Sequence, residues 1–145
     1  MERSKMRELK FRAWDIKSKV MSFVNEHGYF GRAYESDNGY WQDTNLGHML
    51  KRHNEGNSIL MQYTGLKDKN GKGGFFKDIF KPEDENEELY LIDWFKDTAS
   101  WVLTGLETGK VRWIENREQF RSDFQINFSK GEIIGNIYEN PELLK

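Results

Sequence analysis

The sequence predicts a mainly β protein, a small barrel or sandwich with one short helical element, and three observations carry that expectation. At least six short runs have strand character and are separated by regular turn signals. With only three Ala (Ala13, Ala33, Ala99) and four Val, the chain is a poor candidate for a bundle of Ala-rich helices. Aromatic residues reach 14%, as 10 Phe, 6 Tyr and 5 Trp, and supply the bulk that small aliphatics do not. At 145 residues and 17.3 kDa the chain is one domain's worth, read as a single domain over 1–145. Within it, 1–58 forms an N-terminal strand and helix region and 59–145 the barrel region.

Each element has a local reason. Over residues 8–14, Leu9, Phe11 and Ala13 alternate with Lys10, Arg12 and Trp14, the period of a half-buried strand. Asp15 to Lys19 reads as a turn and Val20 to Val24 as a second strand. Glycines in turn-like company (Gly28, Gly31, Gly39) make 25–40 a looped region. From Asp43 to His53, Leu46, Met49, Leu50 and His53 fall at i, i+3, i+4 and i+7, so a short amphipathic helix is expected near 43–54, capped by Asp43 or Thr44. Ile59 to Tyr63 is the next strand, and Asn70-Gly71 turns it into the aromatic segment Phe75 to Phe80. Pro82 and the acids Glu83, Asp84, Glu85, Glu87 and Glu88 mark an exposed connector, since charges this dense repel one another. Leu89 to Phe95 and Trp101 to Leu106 resume strand character, and Thr108-Gly109 turns into Val111 to Ile114. Asn116 caps a one- or two-turn helix through Phe120, Phe124 to Phe128 is a strand, and Lys130-Gly131 turns into Glu132 to Tyr138. Phe11, Trp101, Trp113, Phe124 and Phe128 fall at strand-period positions that suit a core packed with rings.

The formal charge of −2 and pI near 6.0 argue against a sequence-independent nucleic-acid binder. The sum conceals a split, because residues 1–72 carry 13 Lys/Arg against 9 Asp/Glu and residues 73–145 carry 9 against 15. Opposed ends of this kind favour attraction between neighbouring molecules. The absence of Cys excludes disulfides, Cys-ligated zinc, iron–sulfur clusters and thiol chemistry. No run approaches the ~18 apolar residues of a membrane span, and Met1 to Trp14 has no secretory pattern. A soluble protein of a bacterial cytoplasm, with no membrane partner, is the expectation.

Three segments carry a family resemblance. Arg7-Glu8-Leu9-Lys10-Phe11-Arg12-Ala13-Trp14-Asp15 resembles the opening "REIKFRAWD" of the YopX family of phage and prophage proteins. Residues Leu60 to Lys72 fit its "LMQYTGLKDKNGK", and Glu132 to Leu144 its ending "EVIGNIYENPELL". The resemblance implies an SH3-like small β-barrel, formed from about Ile59 onward, with an added N-terminal strand region and one short helix. It supplies a phage context and no biochemical activity. Where the family continues "EIYEGDIVK", the chain has Lys77-Asp78-Ile79-Phe80, so a Lys stands where a tight turn favours Gly.

Motifs for known chemistries fail on spacing. Gly65 and Gly71-Lys72 enclose five residues where a phosphate loop has four, and Gly73 replaces its Ser or Thr. A calcium loop from Asp68 and Asn70 would place Lys72 at its fifth position and Ile79 at its twelfth. His48 and His53 are five apart, off one helical face, and His27 stands alone. No Ser has the Gly-x-Ser-x-Gly setting of a nucleophile elbow. Asp93 and Asp97 are the one carboxylate pair spaced to line a cleft, and exposed strand-end acids explain them as simply.

Cations interleaved with aromatics remain. Lys10, Arg12 and Trp14 share one face of the first strand, and Arg112 lies beside Trp113; such positions stack bases or anchor a protein interface. Lys10, Arg12, Trp14 and Arg112 are thus the candidate interaction surface, with no catalytic, cofactor or metal residue assigned and no cofactor implied. The favoured reading is a non-enzymatic phage or prophage accessory protein acting through contacts with itself, as a homo-oligomer, or with a host or phage protein. A nucleic-acid-binding module and an enzyme of unknown substrate are the alternatives.

Overall fold

A computed structural model of the chain describes residues 8–25, 28–30, 44–115 and 125–144. The chain divides into two compact units, Met1–Gly65 and Leu66–Lys145. The fold is mainly β, with two separate curled half-barrel sheets and one short α-helix.

In the first unit, β1 (Phe11–Asp15) lies between β2 (Val20–Phe23) and β5 (Ser58–Lys67), antiparallel to both. Ala13 faces Ser22 on one side and Leu60 on the other. The two-residue strands β3 (Tyr29–Phe30) and β4 (Thr44–Asn45) pair with each other, and β4 leads directly into α1 (Leu46–Asn54). The helix cap is Asn45, one residue later than either expected cap: its side chain accepts the His48 N–H at 2.8 Å because the first helical residue is Leu46. Met49 is the buried residue of α1 and joins Ala13 and Phe30 in a core flanked by Phe11, Val24 and Leu60. Leu46 and Leu50, expected on the same buried stripe, are exposed.

In the second unit, β6 (Gly73–Phe75) precedes a six-stranded sheet in the order β11-β10-β9-β8-β7-β12. Its members are β7 (Asp78–Lys81), β8 (Tyr90–Phe95), β9 (Ser100–Gly105), β10 (Val111–Glu115), β11 (Gln125–Asn127) and β12 (Glu132–Asn136). All neighbours are antiparallel except β10 and β11. The described strands close no ring, and the strand from Ile59, expected to open a barrel, lies between β1 and β6. The core is Phe80, Tyr90, Ile92, Leu103, Phe128 and Ile133. Phe80 and Phe128 stack at 4.7 Å with planes 9° apart. Gly131 makes room for that stack, since a Cβ there would lie 2.1 Å from the Phe80 ring and 2.7 Å from a backbone oxygen.

The ring core is only partly as expected. Phe128 is fully buried, whereas Phe11, Trp101 and Trp113 are half-buried and Ile79, Ile92, Val102 and Leu103 supply much of the interior. Phe124, the helix expected at Asn116 to Phe120, His27, the start of the chain to Arg7 and most of the 25–40 loop lie outside the described residues. Among the described residues no helix is long and apolar enough to cross a membrane.

Candidate functional site

Each of the three segments that carry the sequence resemblance turns an Asp or Asn side chain onto backbone. At the end of β1, the buried Asp15 carboxylate accepts the Ser18 N–H at 2.8 Å and its hydroxyl at 2.6 Å, and pairs with Arg52 of α1 at 2.6 Å. Arg52 also donates to Ser58 Oγ at 3.0 Å, so one guanidinium ties the helix to two strands. Burial pushes the Asp15 carboxyl up, but the Ser18 hydrogen bonds and the Arg52 charge together hold it below its ordinary value.

Asp68 plays the corresponding part in the central segment. One oxygen accepts the Asn70 and Lys72 N–H groups at 2.9 Å each, the other the Ile133 N–H of β12 at 2.8 Å. Three backbone donors occupy a carboxylate that a calcium loop would need open, and the Lys72 amide is turned to Asp68 and not to a phosphate. In the last segment, Asn136 accepts the Tyr138 and Glu139 N–H groups and donates to Glu139 Oε1, while the Asn140 side chain accepts the Asn136 N–H. Gly135 is required there, because a Cβ would fall 2.4 Å from Asn140 Oδ1.

Open chemistry gathers elsewhere, at the end of the second sheet where β7 begins and β8 turns into β9. Lys77 holds a left-handed φ of 73°, so the turn for which glycine is suited is made by a lysine. Its Nζ lies 3.6 Å from Asp93 Oδ1 and 4.4 Å from the centroid of the Phe76 ring. From Phe76 the rings continue to Trp101 at 6.0 Å and on to Trp94, edge-on at 5.0 Å. Trp94 and Trp101 face each other in the β8–β9 register, which fixes the pair. Trp94 is 44% exposed, and the buried Trp101 Nε1 has no hydrogen-bond partner among the described residues. Asp93 Oδ1 takes both Lys77 and the Trp94 N–H, and Oδ2 takes nothing among the described residues.

Residues 10–145 match the family model described as YopX protein. The chain belongs to the YopX family. Among solved structures this family member is similar to protein EF1440 from Enterococcus faecalis, with TM-score 0.55 and 23% identity over 97% of this chain and 100% of that one. It is also similar to protein yopX from Bacillus subtilis, with TM-score 0.45 and 17% identity over 94% and 95% of the two chains. No curated protein matches the sequence.

Of the interaction residues read from the sequence of this YopX-family chain, the structure leaves few open. Arg12 is only 4% exposed, so the strand face expected to show Lys10, Arg12 and Trp14 together is covered at its centre. Trp14 is half-buried, and Lys10 is engaged with Glu8 at 3.2 Å and with the Tyr63 ring. Arg112 lies in the second unit, its Nε donating to the Tyr90 hydroxyl at 3.4 Å, which in turn donates to Glu87 at 2.7 Å. The acidic connector has structural work as well: Glu88 accepts the Glu107 and Thr108 N–H groups and the Thr108 hydroxyl, bracing the β9–β10 turn. Burial pushes the Glu88 carboxyl up, and the Thr108 and Glu107 donors bring it below its ordinary value.

His53 accepts the Leu60 N–H on Nδ1 at 3.1 Å, and His48 is exposed on the first turn of α1. Asp97 is exposed on the β8–β9 turn, two residues beyond β8, while Asp93 is paired. Sequence reasoning singled out Asp93 for its spacing to Asp97, but missed its partner Lys77 and the Phe76 ring that Lys77 also meets. The signal was available in the departure at Lys77, where a side chain occupies a turn position that normally has none.

Proposed function

We propose that this YopX-family chain is a non-enzymatic accessory protein of a phage or prophage that acts in the bacterial cytoplasm through protein contacts, self-association included. The observation that supports this best is the exposed Trp94 beside Trp101, next to an Asp93 carboxylate with one open oxygen. Exposed Trp flanked by polar groups is the usual composition of an interface anchor. Charge favours self-contact, since residues 1–65 carry 10 Lys/Arg against 8 Asp/Glu and residues 66–145 carry 12 against 16. The nucleic-acid reading relied on a basic strand face, and the burial of Arg12 gives it less support. Light scattering coupled to size exclusion at micromolar concentration tests self-association. A mass above 17.3 kDa is expected, reduced by Trp94→Ala; a monomer at every concentration overturns it.

A further inference from the structure

We propose that the sheet end built by Phe76, Asp93, Trp94 and Trp101 is a receptor for the protonated amine of a lysine side chain on a protein partner, and that the chain's own Lys77 fills it in this structure. The inference rests on the reading that the chain acts through protein contacts and names the chemistry those contacts use.

The two contacts Lys77 makes are those by which an ammonium is recognised: a carboxylate oxygen at 3.6 Å and an aromatic face at 4.4 Å. Lys77 is held there by a left-handed backbone conformation that is unfavourable for a non-glycine residue. Strain retained in this way points to a role for the side chain it positions. Nor does Lys77 exhaust the site. Asp93 is 31% exposed with Oδ2 unpartnered among the described residues, and Trp94 extends the aromatic surface into solvent. The surplus of acids over bases in residues 66–145 favours a cationic visitor over an anionic one. An incoming lysine would exchange with Lys77, so the intramolecular amine acts as a resident competitor that sets the threshold for binding.

Lys77→Gly separates this from a purely structural ion pair, since glycine suits the left-handed backbone and vacates the ammonium position. The probe is a tetralysine peptide, with its fully Nε-acetylated counterpart as the neutral control, titrated at low salt while the indole N–H resonances of Trp94 and Trp101 are followed. The Lys77→Gly chain is expected to bind tetralysine about two- to fivefold more tightly than the unaltered chain, in line with one recovered cation–ring contact. The acetylated peptide should leave both indoles unmoved. Adding Asp93→Asn should abolish the gain, while Asp97→Asn, the same charge change on the neighbouring turn, should preserve it. Equal affinity of the two chains, equal binding of the acetylated peptide, or a gain that survives Asp93→Asn overturns the proposal. A monomeric mass in solution would count against self-association and leave this titration standing, so the two failures are distinguishable.

Discussion

Around Ala13, Phe30 and Met49 the first unit has an apolar cluster and, at the end of β1, a partly buried ion pair, whereas around Phe80, Tyr90 and Phe128 the second closes over rings and aliphatic side chains. Both units use buried Asp or Asn side chains to hold backbone N–H groups, and at Asp15 the holder also neutralises Arg52. The apolar clusters differ in size as well: among the described residues, three buried residues centre the first and six the second. A small cluster gains little from area, and a multiply bonded ion pair supplies the specificity that shape supplies in the larger one.

The largest effect separating the units should come from the apolar core. Phe80→Ala removes a fully buried ring stacked on Phe128, and a loss of about 3–5 kcal/mol is expected in denaturant unfolding. Hydrogen exchange should show the loss in β7, β8 and β12; a loss shared equally by α1 would erase the contrast between the units.

Next comes Arg52→Ala, which leaves the Asp15 charge buried and Ser58 without a donor. It should cost about 2–3 kcal/mol, below the range for a fully buried pair because the guanidinium is partly solvated. Protection should fall first at α1 amides. The same pair gives the first unit a pH dependence. The folded Asp15 carboxyl sits below its ordinary 3.8, so the stability it contributes is fully present above that value and is lost as pH falls through the lower folded value. An acid titration followed by exchange at α1 should show its protection falling as pH falls, and Asp15→Asn should flatten that dependence.

The smallest effect is a gain. Lys77→Gly should stabilise the second unit by about 0.5 kcal/mol, because relief of roughly 1 kcal/mol of left-handed strain outweighs the partly exposed ion pair with Asp93. Thermal unfolding would read this as a slight rise in Tm, and a fall would show that the lysine contacts matter more than the turn.

What the sequence made legible follows from the range of the forces involved. Strand periods placed β2, β8, β9 and β10 within a residue and β1 within three, since alternation is local. Local charge and turn rules could not reveal that Asp68 reaches Ile133, 65 residues away, or that Asp15 finds Arg52 at a separation of 37. Arg12 was misread for a related reason: alternation assigns it to the polar face, and only the packing around β1 shows that face to be covered. The candidate site was half visible, through Asp93 and the turn at Lys77. The row from Phe76 through Trp101 to Trp94 exists only because β8 and β9 bring the two Trp into register.

The Asp68 staple has a consequence for how the protein ages. Asn70-Gly71 is the pair most prone to spontaneous deamidation, in which the glycine nitrogen attacks the asparagine side chain. Here the Gly71 N–H is bonded to the Asp68 carbonyl at 3.0 Å and the Asn70 N–H to the Asp68 carboxylate. The attacking nitrogen is thereby engaged in a hydrogen bond, so cyclisation is expected to run more slowly in the folded chain than in the unfolded one.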